Sequence, residues 1–228
     1  EPAMAAAEAL RQFMIEDNIT SYDPRWDKGL MKHMIVKTAI GTGEVMVVLV
    51  INGKGIPNGQ KLVQMLDDAI YEVGYSLESV VLNIKKAEGV KKARSEREQA
   101  QAMSGEIMGD ENIFIAGKNV IRDVFGDLEF EISPNSFYQV NPVQMKRLYD
   151  QVKEYCGVEE ASGDSPENAN LCSKKPVILD LYCGVGTIGL YCADMAEAVV
   201  GIEIVKEAVI DANRNAVVNG IVNARYIC

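Results

Sequence analysis

The feature that most constrains the fold is a glycine-rich segment that lies between two short apolar runs. The segment 177–189 reads VILDLYCGVGTIG, and the segment 199–209 reads VVGIEIVKEAV. Each apolar run has the length of a buried strand, and each is followed by a helical pattern. The order strand, glycine-rich turn, helix, strand is typical of a nucleotide-type cofactor site, because glycine lets the backbone approach a ligand closely.

Two carboxylates indicate which cofactor this site would hold. Gly184, Gly186 and Gly189 form a GxGxxG match, which alone fits a nicotinamide, a flavin or a methyl donor, or a turn without any ligand. Asp180 ends the first strand and Glu203 ends the second. Asp180 can help to hold the ammonium group of S-adenosyl-L-methionine, and Glu203 can accept both ribose hydroxyls. The pattern therefore favours S-adenosyl-L-methionine as cofactor.

Composition limits the possible classes of protein. The chain has 228 residues, enough for one large or two small domains, and its net charge of −10 argues against a nucleic-acid binder unless a local basic patch exists. No apolar run reaches the length of a membrane span, so no membrane partner is expected. The five cysteines show neither CxxC pairing nor a histidine at metal spacing, which predicts reduced thiols, a cytoplasmic protein and no bound metal.

Patterning along the chain predicts two domains of the α/β class. An α+β domain spans residues 1–135, with a helix over 3–17, a hairpin over 32–51 and a helix over 61–73. The first part of a Rossmann-like domain spans 136–228, and a polar, flexible insertion is expected at 157–176. Its first helix starts at Pro142, with Val143, Leu148 and Val152 facing inward, and its next helix covers 187–196. The second domain reaches only its third strand, so the chain is expected to be a fragment that ends within the fold.

The segments SPNSFYQVNPVQMKRLYD, ILDLYCGVGTIGL and VVGIEIVKEAVIDANRNAVVNGI together resemble the RNA 5-methyluridine methyltransferases, specifically the type that acts on 23S ribosomal RNA. The element SFYQVNP before the cofactor segment is the discriminating part. The hairpin GLMKHMIVKTAIGTGEVMVVLV also resembles the central domain of that family. The resemblance implies methyl transfer from S-adenosyl-L-methionine to uracil C5, with ribosomal RNA as the partner. In that chemistry a cysteine thiolate adds to C6, and a base removes the C5 proton.

Site residues follow from the resemblance by motif position. Gln139, Tyr182 and Glu203 match positions that contact the cofactor, and Thr187 matches a position close to it. Phe137 matches an aromatic residue near the target base. The family's catalytic cysteine and base would lie beyond residue 228, so no catalytic residue is expected in this chain and the isolated chain is expected to be inactive. Cys183, which lies in the glycine loop, is expected to pack rather than to attack.

The first domain offers a weaker RNA-binding pattern. His33 lies in a predicted strand and is either a half-buried strand residue or, with Lys32 and Lys37, an RNA contact to which Arg25 and Trp26 could add. The only basic run is either a solvated face or a phosphate contact. Two further functions remain open, namely a non-catalytic cofactor- or RNA-binding module and a nucleotide-dependent oxidoreductase. The residues of the basic run are Lys85, Lys86, Lys91, Lys92, Arg94 and Arg97.

Overall fold

A computed structural model describes residues 1–86, 107–139, 141–157 and 175–228. The chain divides into two compact units, Glu1–Ile121 and Arg122–Cys228. The elements of the first unit are α1 (Pro2–Glu16), β1 (Met31–Thr38), β2 (Glu44–Ile51), α2 (Gly59–Glu72), β3 (Ser76–Ile84) and β4 (Glu111–Gly117). At the boundary and in the second unit lie β5 (Ile121–Phe125), β6 (Leu128–Ile132), α3 (Pro142–Gly157), β7 (Val177–Leu181), α4 (Thr187–Tyr191), β8 (Ala198–Ile202), α5 (Lys206–Val218) and β9 (Ala224–Ile227).

The first unit is a four-stranded sheet with two helices. The strand order is β1-β2-β3-β4, with β2 and β3 parallel and the two outer pairs antiparallel. The antiparallel pairing of β1 with β2 confirms the predicted hairpin. Helix α2 presents Leu62, Leu66 and Ile70, spaced four residues apart, to the core. Alternate residues of β2, such as Val47 and Leu49, meet them from the sheet.

The second unit contains a parallel sheet and a separate two-stranded sheet. Strands β7, β8 and β9 are parallel neighbours in that order, so their carboxyl ends lie at one end of the sheet. Strands β5 and β6 pair with each other. The chain therefore has the predicted α/β organisation, in which the glycine loop lies between β7 and α4.

The boundary between the units differs from the predicted position at residue 135. The compact units divide at Ile121, which places β6 with the second unit. Buried Asn215 of α5 explains this assignment. Its side-chain oxygen accepts a hydrogen bond from the Glu131 amide at 2.8 Å, and its Nδ2 donates to the Glu131 carbonyl. The Asn215 side chain of α5 thus pairs both backbone hydrogen-bonding groups of Glu131 in β6, as a neighbouring strand would.

Helix α3 buries a different face from the predicted one. Val143 and Leu148 are exposed, whereas Met145 and Tyr149 are almost fully buried. The sequence pattern of α3 carries apolar residues on both faces, so periodicity did not separate them. The Tyr149 ring packs edge-on against Phe125 at 5.6 Å between ring centroids, which fixes the inward face.

Helix α4 is shorter than predicted, because it ends at Tyr191 and not at residue 196. Beyond its end the backbone continues in tight turns, in which the amides of Ala193 and Ala196 donate three residues back. Asn223 donates from its Nδ2 to the carbonyls of both alanines, at 2.8 and 3.0 Å. These side-chain contacts satisfy the backbone groups that a longer helix would have paired.

Two predicted segments fall mainly or partly outside the described residues. Most of the predicted insertion at 157–176, namely 158–174, lies outside the described residues. Of the basic run, the structure describes only Lys85 and Lys86. Among the described helices, none has the length and apolar character that crossing a membrane requires.

Candidate cofactor site

The loop after β7 is a compact turn built at the carboxyl end of the parallel sheet. Its backbone takes positive φ angles at Tyr182 (60°), Gly184 (55°) and Gly186 (81°). The Cys183 amide donates to the Ile202 carbonyl at 3.2 Å, which fixes the loop to the end of β8. The Gly186 amide donates to the Cys183 carbonyl at 2.9 Å and closes the turn. The predicted glycine-rich turn is therefore present and is held to the neighbouring strand.

Glu203 is oriented by the backbone on both sides of its carboxylate. One oxygen accepts from the Gly184 amide at 3.1 Å, and the other accepts from the Val205 amide at 2.9 Å. An ionised carboxylate has about four acceptor positions, so each oxygen retains one for a further donor. Glu203 therefore bridges the loop after β7 and the end of β8 and can still accept two hydroxyl groups.

Asp180 is the inner carboxylate of the site. Its Oδ2 accepts from the Gly189 amide at 3.0 Å, which ties the end of β7 to α4. Burial raises the pKa of this carboxyl above its ordinary value, and the hydrogen bond from Gly189 opposes part of that rise. The environment thus disfavours the ionised form until a positive group lies beside it.

Tyr182 is the residue whose backbone most clearly departs from ordinary geometry. It holds a left-handed φ of 60° with a bulky side chain, and 88% of the residue is exposed. A non-glycine residue in this region costs about 1–3 kcal/mol and persists where its surroundings enforce it, commonly at a ligand site. The strained backbone presents the Tyr182 ring to solvent beside the glycine loop, as an aromatic wall requires.

The glycines of the site divide into two groups by what surrounds them. A Cβ added at Gly186, Gly189 or Gly201 would come within 3 Å of the Tyr226 side chain. A Cβ added at Gly184 would meet nothing within 4 Å. Three of the glycines therefore make room for a tyrosine of β9, and only Gly184 faces open space.

The Tyr226 ring packs against the glycine loop. It is buried, and its hydroxyl donates to the Gly186 carbonyl at 3.1 Å. Asn213 of α5 donates from its Nδ2 to the Tyr226 carbonyl at 3.0 Å and so fixes β9. Sequence reasoning missed Tyr226, because a GxGxxG pattern is explained equally well by an approaching ligand. The polar residues in the helical segment DANRN were the available signal for Asn213 and Asn215.

Thr187 is the first residue of α4, and its side chain contacts α3. Its Oγ1 lies 2.8 Å from the Tyr149 hydroxyl, so the two groups share one hydrogen bond. Burial raises the pKa of Tyr149, so this hydroxyl stays neutral. The predicted cofactor-proximal threonine is therefore fixed in orientation by Tyr149, a residue that the sequence-based prediction did not name.

The buried thiols of this unit are poor nucleophiles. Burial, with the nearby charges of Asp180 and Glu203, raises the pKa of Cys183 to about 12. Burial likewise raises the pKa of Cys192 to about 11. A reactive cysteine needs a thiolate at neutral pH, which neither residue provides.

The segment before α3 is anchored to α5. The Ser136 hydroxyl donates to Asp211 of α5, and the Ser133 and Ser136 hydroxyls lie 2.7 Å apart. Phe137 and Gln139 are exposed on this anchored segment. The segment therefore belongs structurally to the second unit, where both residues are available to a ligand.

The remaining predicted site residues lie in the first unit. His33 and Lys37 are alternate residues of β1, and His33 is exposed while Lys37 is half-buried. Of the predicted residues, the structure brings Asp180, Tyr182 and Glu203 together with Gly184, Gly186 and Thr187 around one loop.

The chain is similar in sequence to curated proteins named RNA methyltransferases. No family model matches the chain. It is 40% identical to an uncharacterized RNA methyltransferase of Caldanaerobacter subterraneus over 96% of this chain and 41% of the relative. It is 36% identical to one of Halalkalibacterium halodurans over 95% and 40%, respectively. The chain thus spans about two fifths of the length of these curated relatives.

A solved structure shares the fold. The tRNA (uracil-54, C5)-methyltransferase of Pyrococcus abyssi, in complex with S-adenosyl-L-homocysteine, is 26% identical with a TM-score of 0.70. The match covers 100% of this chain and 46% of that one. Over nearly its whole length, the chain is therefore a homologue of RNA methyltransferases and has the fold of an S-adenosylmethionine-dependent methyltransferase.

Proposed function

We propose that the protein takes part in S-adenosyl-L-methionine-dependent methylation of uracil C5 in RNA. The observation that carries this proposal is the pair of carboxylates at the carboxyl ends of β7 and β8, of which Glu203 accepts from the Gly184 amide of the glycine loop and Asp180 from the Gly189 amide of α4. The likeness to a uracil-C5 methyltransferase that binds S-adenosyl-L-homocysteine supports the same reaction.

The residues present fit this cofactor. Glu203 retains one acceptor position on each oxygen for the ribose hydroxyls. Asp180 is a half-buried carboxylate whose ionised form an ammonium group would stabilise. Tyr182 offers an exposed ring, and the open side of Gly184 leaves room for close approach. When bound, S-adenosyl-L-methionine supplies the methyl group, while these residues orient it.

By motif position, Gln139 would contact the amino-acid end of the cofactor, Thr187 would lie close to it, and Phe137 would lie near the target base. His33 and Lys37 would contact RNA as basic residues of one strand, β1. The proposed substrate is 23S ribosomal RNA. The raised pKa values of Cys183 and Cys192 argue that neither thiol attacks uracil C6.

Calorimetry on matched carboxylate variants tests cofactor binding. Glu203→Ala should weaken S-adenosyl-L-homocysteine binding by at least about 10- to 150-fold, because even one charge-assisted hydrogen bond contributes about 1.5–3 kcal/mol and Glu203 would make two. Glu207→Ala, which removes an exposed carboxylate from the first turn of α5, should leave the affinity unchanged. NAD should not bind. Unchanged affinity in a folded Glu203→Ala variant, or preferential binding of NAD, would contradict the proposal.

The reaction itself is tested by transfer of a labelled methyl group. Because no catalytic cysteine is expected within this chain, the full-length protein is incubated with 23S ribosomal RNA fragments and, separately, with transfer RNA, and the products are digested to nucleosides. Mass spectrometry should find 5-methyluridine in the ribosomal RNA. Product in transfer RNA alone would contradict the ribosomal substrate, and methylation at another base position would contradict uracil-C5 chemistry.

A further inference from the structure

One end of the four-stranded sheet carries an exposed tryptophan among lysines. Strand β1 begins at this end, and β2 and β3 end there, so three loops leave side by side. The Asn52 amide donates to the Leu30 carbonyl at 2.8 Å, and the Lys85 amide donates to the Ile51 carbonyl at 3.0 Å. We name this region the tryptophan surface, which consists of Trp26, Lys28, Lys32, Lys54, Lys85 and Lys86.

Trp26 is presented on a closed turn. The Asp23 amide donates to the Lys28 carbonyl at 2.7 Å, and the Trp26 amide donates to the Asp23 carbonyl at 3.3 Å. Asn52 secures the end of the turn through its Nδ2, which donates to the Gly29 carbonyl at 3.4 Å. Trp26 is 72% exposed and is the only tryptophan in the sequence. A large apolar ring is thus held in water on a hydrogen-bonded turn.

Lys32 lies over an aromatic ring and within the electrostatic reach of Asp27 and Lys85. The Lys32 ammonium lies 4.1 Å from the centroid of the Tyr22 ring. Burial lowers the pKa of Lys32, the charge of Asp27 raises it, and the smaller effect of Lys85 lowers it. Lys32 and Lys85 are thus close enough for their charges to interact, and a bound anion would stabilise both.

The carboxylates near this surface are fewer than its lysines. Asp23 binds the Arg25 guanidinium at 2.7 Å, and Asp27 accepts from the Tyr22 hydroxyl at 3.2 Å. Asp110 and Glu111 come at the start of β4, where Glu111 is paired with Ile84, so these two carboxylates lie next to Lys85, on the side away from β1 and β2. The tryptophan surface therefore has five lysines against the three carboxylates Asp27, Asp110 and Glu111, since Asp23 is paired with Arg25.

We infer that the tryptophan surface binds single-stranded RNA, with one unpaired base stacked on Trp26 and adjacent phosphates contacted by Lys32 and Lys85. Unpaired bases stack on aromatic side chains, and lysines follow the phosphate backbone. The inference rests on the proposed function, because it concerns how the RNA substrate would be held. It adds a binding surface on the first unit that is distinct from the candidate cofactor site.

Because Trp26 is the only tryptophan, its fluorescence reports on this surface directly. Titration of the protein with a short single-stranded RNA oligonucleotide should quench the emission, and a duplex of the same sequence should quench it less. Trp26→Ala should weaken binding measured by fluorescence anisotropy of labelled RNA about 5- to 150-fold, the effect expected for one stacked base. Trp26→Phe should recover most of the affinity. Lys32→Gln should lower the salt dependence of binding by about one counterion.

Tyr71→Ala is the matched control, because it removes an exposed aromatic residue of α2 near Gly74, at the opposite end of the sheet. This variant should bind RNA like the wild type. Unquenched emission on RNA binding, or equal affinity in Trp26→Ala, would overturn the inference, as would an equal loss in Tyr71→Ala. If the protein gives one of these contrary results but still forms 5-methyluridine, the proposed function survives without this surface. If it binds neither RNA nor S-adenosyl-L-homocysteine, both proposals fail.

Discussion

Asp180 illustrates how one residue can combine a structural and a ligand-binding role. Its carboxylate accepts from the Gly189 amide, but burial raises its pKa and so makes the ionised form costly in the folded protein. We predict that Asp180→Asn keeps the hydrogen bond through the amide oxygen and removes that cost. The variant should therefore be at least as stable at pH 7, while its affinity for S-adenosyl-L-methionine falls, because the ammonium partner is lost.

The pH dependence of this difference follows from the sign of the shift. A raised folded-state pKa means that stability from the protonated form is fully present below the unfolded pKa of about 3.9 and declines as pH rises through the folded pKa. Urea unfolding should show the wild type losing stability relative to Asp180→Asn over that interval, with the two converging in acid. If Asp180→Asn matches the wild type in acid but is less stable than the wild type at pH 7, the ionised carboxylate stabilises the fold.

Between elements, the glycine loop depends on a residue of β9. Gly201 of β8 has no positive φ, yet a Cβ there would lie 2.2 Å from the Tyr226 ring. We predict that Gly201→Ala destabilises the protein by about 1–3 kcal/mol through overpacking. In a Tyr226→Ala background the added methyl would enter a cavity and should cost much less. The free energy of unfolding of the four proteins in the cycle measures this coupling.

Gly184→Ala provides the comparison for that cycle, because its added methyl contacts nothing within 4 Å. Its strain comes from the positive φ alone, so its effect should add to that of Tyr226→Ala within about 0.5 kcal/mol. Additive effects for Gly201→Ala as well would refute the assigned support of the loop by Tyr226.

The same elements show what sequence reasoning could and could not reach. The positions of Asp180, Gly184 and Glu203 on the loop and strand ends followed from motif spacing, because strand and turn chemistry are local. The face of α3 did not follow, because Tyr149 is buried by partners distant in sequence, Phe125 and Thr187. Such long-range packing leaves no period in the local pattern.

The role of the glycines shows a second limit. Spacing predicted where Gly186 and Gly189 lie, but their neighbour Tyr226 lies in β9, after α4, β8 and α5. A sequence shows that a small residue is present and leaves open whether a ligand or a ring requires it. The local pattern therefore located the candidate site. The structure was needed to show that Gly186 and Gly189 adjoin Tyr226, whereas Gly184 faces open space.

At the scale of the whole molecule, one face of the parallel sheet is exposed and apolar. Parallel sheets are nearly always covered on both faces. Here alternate residues of β7 are exposed and apolar, and they are joined by residues from the ends of β8 and β9. We refer to this set as the open face: Val177, Leu179, Leu181, Ile202 and Ile227.

We predict that the 228-residue chain self-associates through this open face in a concentration-dependent manner, because burial of the apolar side chains gains about 25 cal/mol per Å². Leu179→Lys places a charge at the centre of the face and should shift the chain toward monomer in sedimentation velocity. Val222→Lys places the same charge on an exposed valine that precedes β9, outside the face, and should leave association unchanged. A wild-type chain that sediments as a monomer at every concentration would show that the open face is tolerated in water. Equal effects of the two lysine variants would attribute association to net charge instead.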